Sequence, residues 1–260
     1  MNILDRIIET TRERISKDKK AISLNQIREI AESKKDSSFL FQKAISKKGL
    51  NFICEVKKAS PSKGMIVDEF SPKDIALEYQ NIGVDAISCL TEPHYFMGKD
   101  EYLREIKECV NIPILRKDFI IDEYMIYQAK ALKANAILLI AAILDKNKLK
   151  DYLSIANSLG LCVLVETHNE AEIANALFAN ANIIGVNNRD LKTFKVDIQT
   201  SLRLKKILPN DIIFVSESGI TTRKDILELE KINTNAVLIG EWLMTQSDRQ
   251  KALQILKGIL

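Results

Sequence analysis

Two lysines and two glutamates stand where short apolar runs of the chain stop. Glu55 lies within "NFICEV" with Lys57 just after it, Lys117 closes "IPILRK", and Glu166 closes "LCVLVE". A lysine directed into a partly dry pocket is expected to have a lowered pKa, which makes it a usable general acid or base. A glutamate beside it would either hold it charged or act as its opposite partner. Taken singly, each of these residues reads first as half of a rim salt bridge. Other polar residues fall at equivalent places: Thr91 and Glu92 after "AISCL", Arg116 and Asp118 beside Lys117, Asn187, Asn188 and Arg189 after "NIIGV", Ser216, Glu217 and Ser218 at the end of "IIFVSE", and Glu241 after "AVLIG". Gly219 in "SESGI" and Gly240 in "LIGEW" suggest phosphate, because small residues let backbone N–H groups approach an anion, and Ser60 and Lys57 could complete the cradle. One such glycine reads as a turn residue; the pair, after two successive runs, favours phosphate.

Metal chemistry is not indicated. His94 and His168 are the two histidines, and neither has a His/Cys/Asp cluster around it. His168, two residues past Glu166, is placed near the site or, like His94, on a surface loop. Asp190 and Asp197 read as solvated loop charges, and Trp242, the one tryptophan, as packing in an outer helix layer. Phe96 and Phe119 follow two of the runs and offer walls for a ring-bearing substrate.

These side chains can act together only if the elements bring the run ends to one place. Eight apolar runs begin at residues 51, 86, 112, 136, 161, 182, 212 and 236. Amphipathic stretches such as "SPKDIALEYQNIG", "KNKLKDYLSIANSLG" and "TRKDILELEKI" separate them. Strand and helix alternating at this spacing define parallel βαβ units, and runs that are apolar throughout suit strands covered on both faces. Eight units predict an α/β fold, a (β/α)8 TIM barrel, whose site lies at the C-terminal ends of the strands. A doubly wound sheet is the alternative, but no GxGxxG follows the first run. Residues 1–48 read as a helical extension: "ILDRIIETTRERI" spaces Ile3, Leu4, Ile7 and Ile8 helically, and "SLNQIREIAESK" opens on a capping serine, Ser23. Too few apolar residues lie there for a core of its own, so residues 1–260 are expected to be a single domain with the extension packed on it.

Composition narrows the partners. With 38 basic and 35 acidic residues the net charge is +3, which gives no case for nucleic acid or a membrane surface. The four cysteines lack CxxC spacing and read as free thiols of a reducing compartment. The charged start is neither a signal peptide nor an anchor, and no run approaches a membrane span. A cytoplasmic monomer is expected.

The motifs "EVKKASPSKG", "LTEPHYFMGK", "ILRKDFIID", "LVETHNEAE", "IGVNNRDLKTF", "SESGI" and "LIGE", in this order, resemble the indole-3-glycerol-phosphate synthase family of tryptophan biosynthesis. The resemblance covers about residues 1–258. It implies a (β/α)8 barrel with an N-terminal helical extension. It also implies a lyase that decarboxylates and dehydrates 1-(2-carboxyphenylamino)-1-deoxyribulose 5-phosphate during ring closure, with no metal or organic cofactor. By the same resemblance Lys117 is the general acid at the substrate ketone, and Lys57 positions the carboxylate and acts in the dehydration. Glu55 and Glu166 are the bases, in an order left open. Asn187 and Arg189 orient the anthranilate part, Glu217 and Ser218 hold sugar hydroxyls, and Phe96 and Phe119 form the aromatic walls. Phosphate lies on Ser60, Gly219, Gly240 and the backbone N–H of Glu241, whose own carboxylate should turn away. Three rival readings share some of these residues. A phosphoribosylanthranilate isomerase would carry a cysteine and aspartate pair, a Schiff-base aldolase would use Lys117 as nucleophile, and a silent phosphate sensor would be expected to have lost one of Lys57, Lys117 and Glu166.

Overall fold

The computed structural model describes residues 3–34, 39–190 and 193–260; those parts of the helical extension and of the motif "IGVNNRDLKTF" that fall on residues 1–2, 35–38 and 191–192 lie outside the described residues. Eight parallel strands close into a barrel in sequence order: β1 (Asn51–Val56), β2 (Ala86–Leu90), β3 (Ile114–Lys117), β4 (Ala136–Ile140), β5 (Cys162–Thr167), β6 (Ile183–Asn187), β7 (Ile213–Glu217) and β8 (Ala236–Ile239). Closure is made by β1, which pairs Ile53 with Ala86 of β2 and Asn51 with Ala236 of β8. Each strand lies within two residues of its apolar run. The ladder of β3 starts just past Pro113, which has no N–H to give it. After β1 the chain makes a small hairpin, with Ala59–Ser60 antiparallel to Gly64–Met65.

Side-chain alternation divides the barrel into two cores. Ile53, Leu115, Leu138, Leu164, Val215 and Leu238 point inward and share one buried cluster. Their neighbours Phe52, Cys54, Ile137, Leu139, Val163, Phe214 and Val237 point outward and pack with the surrounding helices. Both faces are therefore dry, which is why the runs carry no polar alternation. The helices after β1 to β7 are α4 (Pro72–Asn81), α5 (Asp100–Cys109), α6 (Glu123–Ala131), α7 (Lys146–Ser158), α8 (Glu170–Phe178), α9 (Gln199–Leu204) and α10 (Arg223–Lys231); α11 (Glu241–Met244) and α12 (Arg249–Lys257) follow β8. Their starts are set by local chemistry. Ser71, Asp122, Asp145, Asn169, Thr222 and Asp248 each accept a backbone N–H at a helix N-terminus, with Pro72 at the first turn of α4.

The extension contains three helices, α1 (Ile3–Ala21), α2 (Leu24–Glu32) and α3 (Leu40–Ile45). Ser23 begins α2 in a full capping box with Gln26. The six-residue α3 has no side-chain cap, and Phe39 before it takes a left-handed φ of 59°. Its role is packing: Phe41 and Ile45 are fully buried and join the interior cluster, stoppering the barrel at the N-terminal end of the strands. Burial of a phenylalanine contributes about 2–3 kcal/mol. Asn51 locks the stopper, its Nδ2 donating to Ile45 O (3.1 Å), Lys47 O (3.1 Å) and Asn235 O (2.8 Å).

At the other end α1 lies against the barrel through Arg14 Nη2 to Asp118 Oδ1 (2.7 Å) and Lys19 Nζ to Asp122 Oδ2 (2.8 Å). All four cysteines are free; Cys54, Cys89 and Cys162 are buried, and burial pushes the Cys162 thiol up to about 11. No helix of the described residues is long and apolar enough to cross a membrane.

Candidate active site

A cavity of about 560 Å³ opens at the C-terminal ends of the strands. All fourteen residues expected in the site line it: Glu55, Lys57, Ser60, Phe96, Lys117, Phe119, Glu166, Asn187, Arg189, Glu217, Ser218, Gly219, Gly240 and Glu241. Its floor is apolar, formed by Leu90, Leu138, Ile140 and Leu238 from the strands. The size is that of a small-molecule site.

At the centre lies Lys117, the last residue of β3. Its ammonium stands 3.0 Å from Glu217 Oε2 and 3.3 Å from Glu166 Oε2. Burial by itself would lower the Lys117 pKa, as read from the sequence. The carboxylates of Glu217, Glu166 and Glu55 outweigh it, and the pKa is raised. The expectation of a lowered lysine pKa is therefore overturned: three strands converge carboxylates on one cation. Burial also pushes against ionisation of Glu166, yet Lys117, His168 and a hydrogen bond from Asn187 hold it below the usual carboxylate range. Glu217 goes the other way, because burial and the negative charges of Glu166 and Glu55 exceed the help of Lys117. Two buried glutamates sharing one lysine thus divide into one ionised and one biased toward its neutral form.

Glu55 and Lys57 are two residues apart, on one face of the chain leaving β1, and pair at 2.6 Å. Gly240 makes room for them. A Cβ there would land on the Glu55 carboxylate, and with φ at −123° the obstacle is that contact and not a left-handed backbone. Gly240→Ala is therefore expected to displace Glu55 from Lys57 and lower kcat/KM by about 10²-fold. Steady-state kinetics check this, and an unchanged kcat/KM would mean that Glu55 has room to retreat.

The walls come from other loops. The rings of Phe96 and Phe119 lie with centroids 5.9 Å apart, tilted by 36°. Ser218 and Gly219 both take a left-handed backbone, φ 67° and 79°. The chain therefore turns sharply after β7, and both residues line the cavity. Ser60 is buried in the hairpin, with its Oγ 3.3 Å from that of Ser62. Asn187 Oδ1 accepts the N–H of Arg189 (3.0 Å). Arg189 Nη2 reaches Glu241 Oε2 at 3.6 Å, and Lys63 Nζ approaches Glu241 Oε1 at 3.9 Å. The Glu241 side chain is thus turned toward two cations, and the helix behind it, α11, is one turn long.

Several strand-end residues do other work. Arg116 and Asp118 flank Lys117 and belong to a buried network beside the mouth. Asp118 Oδ2 accepts from Thr91 Oγ1 (2.6 Å), while Arg116 reaches Asp100 Oδ1 and Gln128 Oε1 (both 2.9 Å) and Met125 O (3.1 Å). Glu92 accepts the N–H groups of His94, Tyr95 and Phe96, shaping the loop that carries the Phe96 wall. Asp190 and Asp197 are exposed, as expected.

The structure refines two of these readings and adds a third contact. Trp242 packs on the outer core and also lines the cavity. His94 is exposed, but the His168 ring lies behind Glu166 and contacts it. Ile3, Leu4 and Ile7 of α1 line the mouth, which the sequence reading had not anticipated; their helical spacing was visible, but not the surface they cover. Among the described residues no group of three or more His, Cys, Asp or Glu side chains could hold a metal ion.

Barrel and mouth together define the class: a (β/α)8-barrel enzyme whose strand ends carry lysines and carboxylates over an apolar floor. Residues 4–256 match the family model for indole-3-glycerol phosphate synthase. The chain is 50% identical over 257 residues to the indole-3-glycerol phosphate synthase of Ruminiclostridium cellulolyticum, covering 98% of this chain and 99% of that one. It is 53% identical over 256 residues to that of Endomicrobium trichonymphae, again covering 98% and 99%. The chain belongs to the indole-3-glycerol phosphate synthase family, and it is a carboxy-lyase of tryptophan biosynthesis. Among solved structures, 3-hexulose-6-phosphate synthase from Salmonella typhimurium superposes with a TM-score of 0.65 at 12% identity, over 81% of this chain and 98% of that one. That likeness concerns the fold.

Proposed function

We propose that the cavity closes the pyrrole ring of 1-(2-carboxyphenylamino)-1-deoxyribulose 5-phosphate by lysine general-acid and glutamate general-base catalysis. The observation that carries this reading is the Lys117 ammonium, held protonated between Glu166 and Glu217 at 3.3 and 3.0 Å. The ring carbon that bears the carboxylate is a weak nucleophile, so the ketone it attacks must be protonated. Lys117 gives its proton to the ketone oxygen as the carbon–carbon bond forms. Loss of CO2 leaves the bonding pair in the ring and restores aromaticity. The new hydroxyl then departs as water, with Lys57 supplying the proton and Glu166 removing one from the carbon next to nitrogen. Two protons are given and one taken back, which matches the conversion of a carboxylate to CO2. Glu55, paired with Lys57 at 2.6 Å, is assigned to holding that lysine.

Orientation comes from gripping both ends. Lys57 faces the carboxylate, Asn187 and Arg189 the anthranilate part, Phe96 and Phe119 its ring, Glu217 and Ser218 the sugar hydroxyls, and Ser60, Gly219, Gly240 and the Glu241 N–H the phosphate. The firmly protonated Lys117 speaks against an amine nucleophile of the aldolase kind. We also propose that residues 1–260 work as one domain, a monomer of a reducing cytoplasm. The four unpaired cysteines and the packing of α1 and α3 on the barrel support that reading.

The test is a fluorescence assay of purified protein with this substrate in buffer containing EDTA. Indole emission should grow. Tight binding by calorimetry without emission would favour a silent sensor, and absence of both would overturn the substrate.

A further inference from the structure

Behind the Glu166 carboxylate stands a second pair of groups that no step of the reaction uses. Strand β5 ends at Thr167, and alternation puts Glu166 and His168 on the same side of the chain. Glu166 turns one oxygen, Oε2, to Lys117, and the other, Oε1, lies 3.4 Å from His168 Nε2. That contact is an ion pair without hydrogen-bond alignment, and Nε2 is buried with no other partner. The opposite ring nitrogen, Nδ1, lies 3.0 Å from Glu172 Oε2. Glu172 is fixed in turn. Its Oε2 also accepts the His168 backbone N–H (2.8 Å), its Oε1 accepts from Asn169 Nδ2 (2.7 Å), and its own N–H donates to Asn169 Oδ1 (3.0 Å). The first turn of α8 therefore clamps the imidazole from one side.

We propose that His168, clamped by Glu172, is a positioning residue of the reaction: it holds the far oxygen of Glu166, so that the near oxygen stays presented to Lys117 and the substrate. The inference rests on the reading of Glu166 as the base. A carboxylate can swing about its last bond, and one cation on each side fixes both its charge and its direction. A carboxylate accepts only, so Nδ1 carries a proton toward Glu172. With a second carboxylate at Nε2, the ring is charged. Burial would lower its pKa, but Glu166 and Glu172 outweigh that and push it up to about 10. The charged groups facing this assembly are Glu166 and Glu172 at the ring, with Lys117 on β3, Glu217 on β7 and Glu55 on β1 beyond Glu166.

The chain has two histidines, so ring NMR resolves the question without assay. In 15N spectra of the whole protein, His94→Gln assigns the remaining ring to His168. In those spectra His168 should stay doubly protonated beyond about pH 8. In kinetics, His168→Asn should lower kcat about tenfold with KM little changed. The acidic limb of its kcat/KM profile should move to higher pH, because Glu166 loses a cation. Glu172→Gln should move the same limb in the same direction by less, and it keeps the test open if His168→Asn folds poorly. A His168 ring that titrates near 6.5, or a folded His168→Asn enzyme with the wild-type pH profile, would overturn the proposal. A wild-type protein that does not close the ring would instead count against Glu166 as base, while the NMR would still report whether the clamp exists.

Discussion

Lys117→Ala is expected to reduce kcat by about 10²–10⁴-fold, the range for removal of a general acid, while calorimetry still detects substrate binding. In the proposed mechanism Lys117 touches the reacting oxygen, and phosphate, ring and carboxylate are assigned to other residues lining the mouth. The substitution also strips the counter-charge from Glu166 and Glu217, 3.3 and 3.0 Å away. Lys117→Arg separates the two effects, since a guanidinium keeps the charge but its larger planar head does not take the place of the ammonium at the ketone oxygen. It should fold as well as wild type and remain inactive. Turnover near wild type in Lys117→Ala would sink the role assigned to this residue. The raised pKa of Lys117 carries a sign of its own. Its folded value lies above the unfolded one, so its contribution to stability is complete below about pH 10 and is lost as pH rises further.

The second large effect concerns stability. Asp118→Ala should destabilise the fold by about 3–5 kcal/mol, as expected when one member of a buried charge network is deleted, read from urea unfolding curves at neutral pH. Asp118 is buried and links Arg14 of α1 to Thr91, with Arg116 Nη2 3.5 Å from its Oδ2. Arg116, 1% exposed, would keep Asp100, Gln128 and Met125 O but lose its most buried negative neighbour. Burial raises the Asp118 pKa, and Arg14 and Arg116 together bring it below the usual value. The folded pKa is thus the lower one. The stability it confers is whole above about pH 4 and disappears as pH falls through the folded value. The gap between wild type and Asp118→Ala should therefore narrow in acid. A gap below 1 kcal/mol at neutral pH would mean that α1 and the remaining partners absorb the loss. Because Ile3, Leu4 and Ile7 of α1 line the mouth, the variant should also show a raised KM.

The barrel was legible because its strands are covered on both faces: runs such as "AILLIAA" contain nothing polar until they reach the mouth. The site was legible for the related reason that charge at a strand's C-terminal end serves packing poorly. What stayed hidden depends on direction. Arg116 and Lys117 are adjacent, so only one of them can face inward, and alternation alone separates the structural arginine from the central lysine. The same two-residue rule ties Glu55 to Lys57 and Glu166 to His168, and for His168 it left the choice between site and surface loop open. The raised pKa of Lys117 was out of reach, because it depends on three carboxylates from strands far apart in sequence. So was the stopper helix α3, which is six residues long, lacks a side-chain cap and owes its place to Phe41 and Ile45.

That stopper makes the barrel a flask rather than a pipe. With Phe41 and Ile45 filling the base, whatever enters past the rim of Phe96, Phe119 and α1 must leave by the same neck. Traffic through one neck has an order set by size and grip. CO2 and water, small and weakly held, slip past first. The indole product departs last, once its phosphate lets go, and the next substrate waits until it has cleared. Slow release at the rim would therefore cap the rate of the cycle however fast the chemistry at the base of the neck becomes.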